Sequence, residues 1–352
     1  KDISMKGIFM EKSLKKDIII NRLPVVIYFI LIFAALMVII SAVAPVSNHE
    51  PKTTDTYSDF STGWLNCEES EASLDHLSGT TVIHRTITAA DCNKTLFFFA
   101  KTSNIKVFID GVCQYKNKHF CSQFFGKTPG ALFVNVLIPA ESDGKLLEIE
   151  IENPYKDDDS AKLDEMYIGD ISDIIQFQQQ KRFHPFCLSF IIMVLGVVML
   201  LLFIPPTRQK MVGIEFVNLG VTAFVAGLYL TTDGRYLQLV FGDAHIYHVI
   251  AETAMRLATP LFLIFLSQMY DSYSKRISTI LCVIGEIAFV VCFIDEITGI
   301  MDYHETLFLV HVVFVISMLF ILVSTIKGIV KAPKENIYHN IGCIVFSFMA
   351  MT

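Results

Sequence analysis

The sequence predicts a membrane protein of mixed α and β class. An N-terminal anchor helix leads to an extracytoplasmic antiparallel β-sandwich, and an α-helical transmembrane bundle follows, interrupted in its sixth helix. Three observations carry this. The 352 residues are 53% hydrophobic with a mean hydropathy of +0.52, too apolar for an ordinary soluble chain, and the apolar residues come in span-length blocks. One polar block interrupts them: residues 46–183 hold 21 acidic and 13 basic residues, a balance of −8 within a total of −7, so the rest is near +1. That block alternates with the period of two that half-buried strands require.

The elements follow in order. Residues 1–24 carry six basic and three acidic residues and form a cytoplasmic N-terminus. Residues 25–45 form the anchor: Val25 to Ala44 is uncharged, and twenty helical residues rise about 30 Å. Ala42-Val43-Ala44 has the small-residue form of a signal-peptidase site, but the apolar run exceeds a usual signal core, so an uncleaved anchor is the expectation. Residues 46–170 form the sandwich. Leu147, Ile149 and Ile151 alternate with Glu148, Glu150 and Glu152; Ile105, Val107 and Ile109 run into the turn pair Asp110-Gly111; Leu132, Val134, Val136 and Ile138 form another buried face closed by Pro139. A turn pair of this type suits a tight hairpin because glycine tolerates positive φ. Residues 171–185 read as an amphipathic linker helix. Residues 186–352 hold apolar blocks at 186–204, 212–231, 247–269, 277–298 and 305–327, and a sixth from 338 that reaches Thr352. A seventh helix and an output domain are expected beyond it.

Loop charge sets the expected orientation. With the N-terminus cytoplasmic, the inside loops hold the basic residues Arg208 and Lys210, Lys275 and Arg276, and Lys331 and Lys334, whereas the outside loops 232–246 and 299–304 hold one Lys or Arg between them, Arg235. This is the positive-inside pattern in every loop, and it puts 46–183 outside.

Several residues carry the layout further: Phe60-Ser61-Thr62-Gly63-Trp64, Val107-Phe108-Ile109-Asp110-Gly111 with Tyr115, the strand Leu146 to Ile151, Met166-Tyr167-Ile168-Gly169, Pro185-Phe186, and Leu228-Tyr229-Leu230 followed by Gly234-Arg235-Tyr236-Leu237-Gln238-Leu239. In this order they resemble the bacterial seven-transmembrane receptors with diverse intracellular signalling modules, over about residues 55–350. The resemblance implies a jelly-roll, carbohydrate-binding-like sandwich, seven helices in the bacterial inner membrane, and a cytoplasmic output domain, often a GGDEF diguanylate cyclase and sometimes a histidine kinase or phosphatase. It also implies a homodimer.

No P-loop, zinc-protease, serine-hydrolase or kinase pattern occurs, so no catalytic residue is assigned. The eight cysteines include no C-x-x-C pair, so neither a metal nor another cofactor is expected. No basic domain is present for nucleic acid. Charged residues within spans are costly and usually face the bundle interior. Glu252 and Arg256, four apart on one face in the favourable order, read either as a signalling switch or as a structural ion pair. Glu286 lies deep in its span without a local partner, and His311 reads as a pH sensor or as a hydrogen bond between helices. In the sandwich, Trp64, Tyr115, Phe120 and Phe124 are candidates to stack on a carbohydrate or another small molecule, against the alternative of core packing. The irregular stretch 114–130 is where a ligand is expected. Cys113 and Cys121 are spaced to close a short disulfide loop, which an extracytoplasmic location permits.

The function these features predict is a transmembrane receptor that senses an external ligand and regulates a cytoplasmic enzyme. A polytopic transporter and a membrane-embedded enzyme are the alternatives. The transporter is disfavoured because no pair of Gly/Pro-broken helices marks a midplane site.

Overall fold

The computed structural model describes residues 56–117, 126, 130–155, 160–203, 214–242, 244–267 and 272–331. The N-terminus, the anchor and the sixth bundle helix lie outside the described residues. Two antiparallel sheets form first. One has strand order β1-β9-β4-β7, from β1 (Tyr57–Asp59), β9 (Lys162–Gly169), β4 (Thr95–Lys101) and β7 (Ala131–Leu137). The other has order β2-β3-β8-β5-β6, from β2 (Leu65–Asn66), β3 (Thr80–Thr86), β8 (Leu146–Glu152), β5 (Asn104–Ile109) and β6 (Val112–Lys116).

The alternation seen in the sequence sets the register. Ile105, Val107 and Ile109 lie opposite Ile151, Ile149 and Leu147, and Ile83 faces Ile149 from the other side. One face of the five-stranded sheet is therefore apolar, and it packs on Leu96, Phe98, Val134, Leu163 and Ile168 of the four-stranded sheet. The Asp110-Gly111 turn has both residues at positive φ, 49° and 75°, as the turn type that matches strand twist requires.

Among the described residues six α-helices follow: α1 (Ile171–Phe203), α2 (Ile214–Asp233), the short α3 (Tyr236–Phe241), α4 (Ala244–Ser267), α5 (Ser272–Thr298) and α6 (Leu307–Lys331). Five of them are long and apolar enough to cross a membrane. Ile280, Val283, Ile287 and Val290 on α5, and Phe308, Val315, Leu319 and Val323 on α6, are exposed. An apolar surface of that extent suits acyl chains and not water, so the chain has the character of a multi-pass membrane protein. The expected linker helix and first span are one continuous 33-residue helix, with Pro185 inside it. Helices α1 and α2 touch backbone to backbone. A Cβ on Gly196 would lie 2.4 Å from the Phe224 amide nitrogen, and one on Gly227 would lie 2.4 Å from that of Met193. Small residues at such crossings are how helices gain dispersion contact in lipid.

Candidate functional site

The sandwich and the helices share a seam, and β4 explains it. Its Leu96-Phe97-Phe98-Phe99 run is apolar without alternation, because both faces are buried. Leu96 and Phe98 enter the sandwich core, while Phe97 and Phe99 point the other way and each pack on Phe133 at 5.4 Å. The helices cover this second face. The Arg235 guanidinium sits 3.9 Å from the Phe99 ring centre, and Arg182 of α1 lies 5.0 Å from that of Phe133, both within cation–π reach. Tyr57 and Tyr167 meet Phe177 of α1 at 5.6 and 5.8 Å.

A bulge in β9 supplies the ionic part of the seam. The β4–β9 register shifts between Phe97 and Phe99, and Glu165 takes a left-handed φ of 53°. Bulges re-aim side chains, and here the carboxylate reaches α1: Lys181 donates to it at 2.8 Å and Arg182 at 2.7 Å. Burial acts to raise the Glu165 pKa, but the hydrogen bonds from Lys181 and Arg182 outweigh it and hold the carboxyl below its usual range. Gln238 of α3 closes the free edge of β7. In the amide orientation that satisfies both partners, it donates to the Ala131 carbonyl and accepts from the Phe133 N–H, each at 3.1 Å. An open strand edge is thereby covered.

A second contact runs deeper. Tyr155, in the loop between β8 and β9, is buried; its ring stacks on His304 at 4.2 Å and its hydroxyl donates to Asp302 Oδ2. Burial and the hydrogen bond to Asp302 raise the phenol above its ordinary value, so it remains a donor. Asp302 and Glu305 cap α6 reciprocally: Asp302 N donates to Glu305 Oε2 and Glu305 N donates to Asp302 Oδ1, both at 3.0 Å. Tyr303 N donates to Glu296 of α5 at 2.5 Å, and the Tyr303 hydroxyl lies 3.1 Å from that of Thr253. The Tyr303 carbonyl accepts from Arg256 of α4 at 2.5 Å, and the same guanidinium stacks 4.1 Å above the Tyr303 ring and pairs with Glu252. Arg256 is 3% exposed, Glu296 2% and Asp302 4%. A continuous set of contacts thus joins a sandwich loop to charges inside a membrane-length helix.

Between these contacts opens a cavity of about 680 Å³. Tyr115, Lys116, Asn117, Phe133 and Asn135 line it from the sandwich, and Ile175, Gln238, Leu239, Gly242 and His245 from the helices.

The residues expected from sequence divide accordingly. Glu252 and Arg256 come together as an ion pair, joined to the sandwich through Tyr303. Glu286 lies midway along α5, is exposed, and accepts from the Cys282 thiol one turn before it at 3.6 Å. The His311 ring is exposed, and its Nδ1 lies 2.9 Å from the Leu307 carbonyl of its own helix. Trp64 is 1% exposed, edge-on to Phe60, and its Nε1 donates to the Phe60 carbonyl at 2.8 Å. A ring so enclosed has no face to offer a sugar, so Trp64 is core. Tyr115 lines the cavity; Phe120 and Phe124 lie outside the described residues. Cys113 is an exposed free thiol whose Sγ is 3.4 Å from the Tyr115 carbonyl, and Cys121 lies outside the described residues. Among the described residues no His, Cys, Asp and Glu group could hold a metal.

Sequence reasoning missed Tyr155, Glu296, Asp302, Tyr303 and Gln238. One signal was present: Asp302-x-x-Glu305 before the apolar run from Leu307 has the form of a capping box, which marks an ordered loop and not a slack one. No known protein family matches the chain, and no curated protein matches it.

Proposed function

We propose that this chain is the sensory part of a bacterial transmembrane receptor, of the seven-transmembrane type it resembles. In this reading the paired sheets are a jelly-roll outside the inner membrane. An uncleaved N-terminal anchor starts in the cytoplasm, the bundle continues past the sixth helix, and the receptor works as a homodimer. An external small molecule or carbohydrate changes how the sandwich sits on the helices, and a cytoplasmic output domain, a GGDEF diguanylate cyclase, responds. A ligand drives such a change only by binding one arrangement better than another.

The observation that supports this best is the path from Tyr155 through Asp302 and Tyr303 to Arg256 and Glu252. A sandwich that merely decorated a transporter would need no buried polar connection to intramembrane charges. The test introduces Lys275→Cys and Lys327→Cys, at the ends of α5 and α6 remote from the sandwich, in the full chain in nanodiscs. Disulfide formation between them is timed with and without Tyr155→Phe. The sensor reading expects the rate to change severalfold. An unchanged rate would mean that the sandwich contact stops at the loop, and the reading would fail. The gene downstream of the Thr352 codon provides a separate check: this reading expects it to encode the rest of the bundle and a GGDEF domain.

A further inference from the structure

Helix α3 lies between two membrane-length helices. α2 ends at Asp233, α4 begins at Ala244, and both are long and apolar enough to span. The six residues of α3 occupy the turn between them, so it sits where two spans leave the bilayer. Its level is fixed a second time by α1. The Tyr236 ring stacks on Phe186 at 4.5 Å, and Phe186 stacks on Phe190 at 5.8 Å, where the apolar block of α1 begins. Aromatic rings gathered at the ends of spans mark the boundary between headgroups and acyl chains.

The two sides of α3 meet different surroundings. Residues three and four apart share a helix side. Gln238 and Leu239 turn to the sandwich: both line the cavity, and Gln238 closes the β7 edge through the Ala131 carbonyl and the Phe133 N–H. Leu237, Val240 and Phe241 share the other side. Val240 is exposed there, and Phe241 is 72% exposed. A phenylalanine so exposed beside two spans presents apolar surface at a level where lipid, and not water, meets the chain. Phe190, next in the ring ladder, is likewise exposed on the span of α1.

We infer that α3 is an in-plane anchor: Leu237, Val240 and Phe241 enter the headgroup–acyl boundary of the leaflet on the sandwich side, while Gln238 and Leu239 hold the sandwich. The partner of this face is the lipid surface itself. Interfacial helices bury their apolar side by about 5–10 Å, which is enough to cover a phenylalanine. The bilayer surface thereby fixes the position of the β7 edge and of one wall of the cavity. None of this requires the sensor reading, because it draws only on the spans and the seam.

The test uses the full chain in nanodiscs and tryptophan emission. The sequence has one tryptophan, Trp64, enclosed in the sandwich core, so the parent protein supplies the background. Phe241→Trp and Val240→Trp each place a reporter on the anchoring side, and Val112→Trp places one at the exposed start of β6. Lipid brominated in the upper half of its acyl chains should quench the added emission of both α3 variants at least twofold, and leave Val112→Trp and the parent unchanged. Lipid brominated deeper in the chains should quench the α3 variants less. Undiminished emission from both α3 variants would overturn the inference, whether a second copy, another part of the chain or water covers that side. Stronger quenching by the deeper bromines would overturn it too, since the helix would then lie in the acyl core. Equal quenching of Val112→Trp would do the same, by laying the whole sandwich on the lipid. The hold on β7 has its own readout. In Phe241→Ser, the Phe133 amide that donates to Gln238 should exchange hydrogen severalfold faster, while Ile149 of β8 keeps the parent rate; an unchanged Phe133 amide would refute the hold. Circular dichroism and thermal unfolding of each variant check that the fold is kept.

Discussion

Replacing Tyr155 by Phe deletes one oxygen from the contact between the sandwich and the α5–α6 loop. The ring remains, so its stacking on His304 at 4.2 Å is kept. What disappears is the hydroxyl's bond to Asp302 Oδ2, a hydrogen bond to a buried carboxylate. Bonds of that kind contribute about 1.5–3 kcal/mol, equivalent to roughly 10- to 150-fold in the equilibrium for opening the loop. The loop's amides report on that opening because they are tied to Asp302 or to the carboxylates beside it: Glu305 N to Asp302, Asp302 N to Glu305, Tyr303 N to Glu296. Hydrogen exchange of the full chain in nanodiscs is the assay. Amides of Asp302, Tyr303 and Glu305 should exchange at least tenfold faster in Tyr155→Phe, while Ile149 and Ile151 in β8 keep the parent rate. Unchanged exchange in the loop would refute the reasoning, because the hydroxyl would then contribute nothing. Faster exchange in β8 as well would refute it differently, by tracing the effect to the sandwich fold.

Three further outcomes are expected. Arg256→Met should cost about 3–5 kcal/mol, as for one partner removed from a buried pair, and adding Glu252→Met should recover much of it; thermal unfolding in detergent measures both, and a single variant as stable as the parent would deny the pair its role. Gly196→Val should lower the melting temperature by several degrees, since its Cβ falls on the backbone of α2 and overpacking of this kind costs about 1–3 kcal/mol or more. The Glu165 contact should depend on pH in one direction. Its carboxyl titrates lower when docked than when free, so its stabilisation is complete above the free value and is lost as pH falls through the docked one. The melting temperature should therefore fall below about pH 4, and Glu165→Gln should flatten that fall.

The strands and spans were legible because each rests on a local period. Ile105-Val107-Ile109 and Leu147-Ile149-Ile151 announce a half-buried strand whatever they pack on. The run Leu96 to Phe99 broke that period, and the broken period was itself the trace of the seam: a strand covered on both faces has no polar side to show. Its partner could not be read, since Phe133, Arg182 and Arg235 are distant in the chain. The pair Glu252–Arg256 was legible because four residues are one helical turn. Its link to Tyr155 was not, since residues 155, 302 and 256 are brought together only by the tertiary fold. The surroundings of Glu286 and His311 were not legible for a related reason: an ionisable residue in an apolar run signals cost, and the run does not say which way the helix is turned.

The continuity of α1 has a mechanical consequence. Thirty-three helical residues make a rod about 50 Å long, and its first turns are held by the sandwich through Phe177, Lys181 and Arg182. With no joint between those turns and the span, a tilt of the sandwich cannot be absorbed at the membrane surface; it becomes a tilt of the rod. The one weak rung is at Pro185, which lacks the N–H that would bond the Lys181 carbonyl. The helix continues unbroken through that rung to Phe203, so the rod carries the tilt past the last residue the sandwich grips.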